Sequence, residues 1–333
     1  MRLALCTLLG LLLSNSPPAS VPAQEPQSQQ KVVRLIWFPR FSPDGKSLLS
    51  AHGGWEVQEA GEARLWNVET GQAEQVIEHP RGVRTVAWSP KGNYFVSGDF
   101  GGTLRLFDAM TASLTKEIQP GDMIEGVRIS GDETRLVTTH SNGDIMIFAL
   151  PTLQEVHRFT RAHQENIWGM ALSPDGKLLA TAGKDKHVRI VDLEALKVVQ
   201  ELKHPSVTNG LAFSLDGKRL LTGCYDSLIR VFDVESGKQN NMLRGHERNG
   251  VTDLQFSTDG NLLASAGFDR TVRVWDCSDL DKPRLTRTLR GHDRMVFGVA
   301  ISPLGDSIAS AGWDDKLILW NIKDGTERWS WKR

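Results

Sequence analysis

Ser265, Asp269 and His246 are residue types that can perform nucleophilic catalysis together: a serine attacks, a histidine takes its proton, and a carboxylate orients the histidine. The stretch AGFDRTVRVWD, residues 266–276, places Asp269 six residues before Trp275, and Ser265 sits ten before it. The same set recurs as His292, Ser310, Asp314 and Trp320. Asp185 and Asp226 fill the aspartate slot elsewhere, and Ser97, Thr138, Thr181 and Thr222 fill the hydroxyl slot. A nucleophile needs one oxyanion site, so a set repeated along the chain points to a frame and not to a reaction centre.

Other chemistries fare no better. Five of the nine histidines (His79, His163, His204, His246 and His292) share one register, one per repeat, which keeps them from converging on one ion. His52, His140, His157 and His187 lack metal-ligand spacing and read as isolated surface or capping residues. No metal or cofactor is expected. Gly53-Gly54 and Gly101-Gly102 are turn glycines with no Lys-Ser/Thr following, so no phosphate loop is present. The formal net charge is -1 and the basic residues form no stripe, which argues against nucleic acid as a partner. Cys224 and Cys277 are expected on opposite faces, beyond disulfide reach, as free thiols.

The elements that must position these residues are repeats. A turn-opening serine recurs at Ser42, Ser89, Ser130, Ser173, Ser214, Ser257 and Ser302, in steps of 41 to 47 residues. Eighteen residues after each comes an aromatic-acid slot such as Phe107-Asp108 or Trp275-Asp276; the first copy needs twenty-four to reach Trp66-Asn67 and so carries six extra residues. Each unit holds four strand signals separated by tight turns, which predicts a four-stranded antiparallel sheet. One such sheet cannot bury both faces, but seven stacked radially in a ring can.

These features, with Gly245-His246 and Gly291-His292 each ahead of a copy ending in Trp-Asp or Trp-Asn, resemble the WD40 repeat family over residues 34–331. The resemblance implies an all-β fold: a seven-bladed β-propeller of four-stranded antiparallel blades, with repeats near 34–77, 78–118, 119–159, 160–202, 203–244, 245–289 and 290–331. It also implies hydrogen-bonded structural tetrads, His246–Ser265–Asp269–Trp275 and His292–Ser310–Asp314–Trp320, and partner binding on the tetrad-side face. The segment from Thr326 to Trp331 is expected to complete blade seven, because the residues before Ser42 leave only a Gln-rich stretch for a closing strand.

Arg2, the apolar run Leu3 to Leu13 and Val21-Pro22-Ala23 predict a secretory signal peptide over 1–23, followed by a flexible lead-in over 24–33. No second apolar run of spanning length follows, so no membrane span is expected. The reading is an exported chain, in a bacterial periplasm or on a cell surface, and a monomer by itself. The scarcity of cysteine and the absence of Asn-x-Ser/Thr sequons suit that compartment.

The partner is sought in two columns of the repeats. The residue before each tetrad turn reads Phe100, Ser141, Lys184, Tyr225, Phe268 and Trp313. The residue five before each turn-opening serine reads Trp37, Arg84, Glu125, Trp168, Asn209, Thr252 and Phe297. Either these rings pack on the adjacent blade, or they form a contact surface of aromatic and Arg anchors. Trp55, in the turn 52–63 within which the six extra residues fall, marks a recognition loop or a solvated insertion. The expected function is a non-catalytic protein- or peptide-binding scaffold. Its alternatives are a lactonase-like propeller hydrolase, for which Glu125 and Asp99 are the acids nearest the mouth, or a subunit of a larger periplasmic complex.

Overall fold

The computed structural model describes residues 35–54, 59–247 and 250–332, all within the compact unit Val33–Arg333. The expected signal peptide, the lead-in and Trp55 lie outside the described residues. Seven antiparallel sheets follow one another along the chain, each built from consecutive strands. The fold is a seven-bladed β-propeller with four-stranded blades, as the repeat spacing predicts.

The recurrent Ser-x-Asp-Gly turn makes the blades alike. In blade four, Ser173 Oγ donates to Asp175 Oδ1 (2.6 Å) and accepts from the Leu178 N–H (2.9 Å). Ser42, Ser130, Ser214 and Ser257 bond their aspartates in the same way. The turn thereby fixes the register of the first two strands in each blade. Inner strands such as Val296–Ile301 are buried throughout, because adjacent blades cover both faces. Outer strands such as Lys197–Lys203 expose charges, here Lys197, Glu201 and Lys203, which protects the sheet edge.

Blade one departs from the pattern. Its innermost strand is split into Leu35–Ile36 and Arg40–Phe41, both paired with Ser47–Gly53. Trp37, Phe38 and Pro39 lie between, and Pro39 has no N–H to give the ladder. Arg40–Phe41 lies against Val296–Ile301 of blade seven, which closes the ring.

The outer strand of blade seven is Glu327–Lys332, paired with Lys316–Asn321. Its two indoles reach into blade one. Trp329 Nε1 donates to the Val68 carbonyl (2.8 Å), and the Trp331 ring lies 5.2 Å from that of Trp66 and 4.5 Å from the Arg64 guanidinium. A hydrophobic cluster of Ile36, Leu48, Trp66, Ala309 and Leu319 fills the same junction. No helix of the described residues is long and apolar enough to cross a membrane.

Candidate functional site

Blade six assembles the full Ser-His-Asp set. His246 Nε2 lies 2.7 Å from Ser265 Oγ, Trp275 Nε1 donates to the same oxygen at 2.8 Å, and His246 Nδ1 lies 3.0 Å from Asp269. Blade seven repeats it through His292, Ser310, Asp314 and Trp320, at 2.8, 2.8 and 3.0 Å. Both serines are fully buried with their hydroxyls engaged by two rings, so neither can meet a substrate. Burial pushes the Asp269 carboxyl up, but the hydrogen bond and charge of His246, with donors from Thr271 and the Glu247 backbone, hold it well below the usual range. Asp314 is held low by the same balance. The Gly-His pairs have a steric cause: a Cβ on Gly245 or Gly291 would come within 2.7 Å of the Trp275 or Trp320 ring.

Two further histidines, read from the sequence as isolated, belong to this frame. His52 Nε2 lies 2.7 Å from Ser50 Oγ, which also accepts from Trp66 Nε1, and His140 Nε2 lies 2.8 Å from Thr138 Oγ1. Both are buried. In blades one and three the imidazole comes from the second strand, two residues after the hydroxyl. The signal was present in the sequence as His52 and His140 at a position where four of the other copies carry Gly or Cys. The aspartate of the Trp-Asp pair is also structural: Asp276 accepts from the Ser278 N–H and hydroxyl and so caps the next turn. Cys224 and Cys277 are buried free thiols, and burial pushes Cys277 up to about 12.

The mouth of the propeller is different. In blades two to seven the first strand carries a β-bulge, and the unpaired residue is Arg84, Glu125, Trp168, Asn209, Thr252 or Phe297. A bulge inserts one residue against none and re-aims its side chain. The second column of the sequence is therefore a column of bulges, which single-residue periodicity does not reveal.

The bulged rings meet the turn rings in one continuous arc. Trp168 lies 6.0 Å from Tyr225, Tyr225 lies 4.8 Å from Phe268, and Phe268 lies 6.3 Å from Phe297. Phe297 lies 5.2 Å from Trp313 and 5.0 Å from Trp37, and Trp37 lies 5.8 Å from Phe100. Edge-to-face pairs recur along it, an arrangement favoured by the ring quadrupole. Trp37, Phe100 and Phe297 are buried and act as backing, while Trp168, Tyr225, Phe268 and Trp313 are half-buried and present an edge to solvent. Burial pushes the Tyr225 hydroxyl up to about 12, so it stays a neutral donor.

Arg84 is backing as well. It is buried, its guanidinium sits 4.4 Å from the Trp37 ring, and it donates to Glu125 at 2.9 Å. Glu125 also accepts from Asn166 at 3.3 Å. Asp99 is fully buried and accepts from the Gly101 and Thr103 N–H groups. The two acids of the hydrolase reading are thus held inside the frame. The small cavity that Glu125 borders with Arg40, Arg128 and Asp253 measures about 20 Å³, room for a water but not for an organic substrate. Among the described residues no group of three or more His, Cys, Asp or Glu could hold a metal ion. In the 52–63 segment of blade one, Glu62 pairs with Arg64 at 2.7 Å.

The family described as WD domain, G-beta repeat matches at residues 71–108, 153–192, 196–233, 237–276 and 283–321, more than half of the chain. The unmatched units are blades one and three, the two whose histidine has moved to the second strand. Among curated proteins the chain is similar to a WD repeat-containing protein SL1-17 of Schistosoma mansoni, 28% identical over 40% of this chain and 45% of that protein. It is 26% identical to the target of rapamycin complex subunit wat1 of Schizosaccharomyces pombe, over 48% of this chain and 52% of that one. It is 31% identical to eukaryotic translation initiation factor 3 subunit I of Drosophila grimshawi, over 51% and 54%. The chain spans about half the length of the curated relatives it matches.

Proposed function

The chain belongs to the WD40 repeat family, and we propose from that premise that it is a non-catalytic scaffold that binds a protein or extended peptide on its tetrad-side face. The observation that carries this reading is the arc of rings, in which buried Trp37, Phe100 and Phe297 support the half-buried edges of Trp168, Tyr225, Phe268 and Trp313. Rigid aromatic edges around a mouth suit a binding hot spot, because they offer large contact area at low entropy cost. Two of the relatives are named as subunits of larger assemblies, which supports an interaction role over a catalytic one.

The scaffold would act after export, in a bacterial periplasm or at a cell surface, on the strength of Arg2, the apolar run after it and Val21-Pro22-Ala23. Fractionation of cells producing the full chain, with N-terminal sequencing of the product, tests this. Cleavage after Ala23 and recovery outside the cytoplasm support export; an uncleaved cytoplasmic product contradicts it. The binding reading is tested by cross-linking the tagged protein in its own cells. A partner retained by the wild type and lost by Phe268→Ala, with melting unchanged, supports it.

A further inference from the structure

Beside the arc, between blades six and seven, lies a cleft of about 710 Å³ on the tetrad-side face. Phe268, Trp313 and Met295 form its apolar side, and Arg270, Arg290 and Arg294 its cationic side. All three arginines are exposed, and none forms an ion pair with another described residue. The acids that border it do not balance them. Asp269 is committed to His246, Thr271 and Arg273. Asp293 pairs with Lys316 at 2.9 Å and lies 4.0 Å from Lys332. Glu247 alone is left against three guanidinium groups. By contrast, Arg84, Arg189, Arg219, Arg230 and Arg273 each hold a carboxylate.

We infer that this cleft takes an acidic segment of a protein partner, with its carboxylates on Arg270, Arg290 and Arg294 and an apolar or aromatic side chain against Phe268 and Trp313. The inference rests on the proposed binding face and names the chemistry of its ligand. Guanidinium forks match carboxylates geometrically, and such charge-assisted bonds are stronger than neutral ones. The volume lies within the range of organic ligand sites. A nucleic acid is less well suited, since the three cations form an isolated group and not a track along a backbone.

The test measures fluorescence anisotropy with three labelled synthetic peptides: one of glutamates around a central phenylalanine, and its glutamine and lysine counterparts. A uridine oligonucleotide is run alongside. The wild type is expected to bind the glutamate peptide, with affinity falling as salt rises. Arg270→Glu and Arg294→Glu are each expected to weaken that binding at least about tenfold and to gain affinity for the lysine peptide, with melting unchanged. Binding of the glutamine peptide as tight as that of the glutamate peptide, or arginine variants that bind like wild type, overturns the inference. So does preferential binding of the oligonucleotide. If the cellular partner is lost by Phe268→Ala yet held fully by both arginine variants, the binding face stands and the acidic ligand alone is refuted.

Discussion

At the scale of the residue, the distinction that matters is between groups that hold the frame and groups that border it. Asp269 has the composition of a catalytic acid and the surroundings of a structural one. Replacing it with Ala leaves His246 and the Glu247 N–H without their acceptor and is expected to cost roughly 3 kcal/mol, read as a lower melting temperature. Phe268→Ala removes a half-buried ring that lies between Tyr225 and Phe297, and a melting change of no more than about 1 kcal/mol is expected. This division was half legible in the sequence. The repetition of Ser265, His246 and Asp269 exposed them as frame. His52 and His140 escaped notice because they stand in the second strand, two residues after Ser50 and Thr138, and not in the loop before the first strand. Arg84 looked like an anchor because its type and column fit one; only the structure shows Glu125 and Trp37 enclosing it.

At the scale of the element, strands and turns were written plainly: a turn-opening serine marks the first hairpin of every blade, and its hydrogen bonds explain why the spacing is kept within each unit. The bulges were not legible. A register shift adds one residue without changing composition, and six of them leave one column unpaired in the inner strands. Two predictions belong here. Gly291→Ala would force a methyl against Trp320 and is expected to destabilise by about 1–3 kcal/mol, measured in urea. Removing the outer strand Glu327–Lys332 would strip Trp329 and Trp331 from blade one. The expected result is a lower and broader thermal transition, because the ring closure loses its covering indoles; an unchanged transition would show that the closure depends on Arg40–Phe41 and Val296–Ile301 alone.

At the scale of the whole molecule, the frame carries a pH dependence. Burial drives His79, His140 and His163 below their usual value, and His204 down to about 4. The unfolded chain, whose histidines titrate near 6.5, then binds more protons than the folded one, so stability falls as pH drops from about 6.5 to about 4. For His204 alone the loss is on the order of 3 kcal/mol. Asp269 and Asp314 act in the window below: their lowered carboxyls contribute stability above the unfolded value near 3.8 and lose it as pH falls through the folded one. Urea titrations across pH 7 to 4 check the histidine window, where His204→Gln should flatten the curve, and their extension below pH 4 checks the aspartates.

The central claim is that one set of residues holds the ring while a different set meets the partner. The measurement that tests it most directly pairs thermal melting with partner capture in two proteins, Asp269→Ala and the double variant Phe268→Ala, Trp313→Ala. The aspartate variant is expected to melt lower yet still capture its partner below that temperature, while the ring variant melts like wild type and captures nothing. A ring variant that unfolds as readily as the aspartate variant, or that captures its partner undiminished, would contradict it.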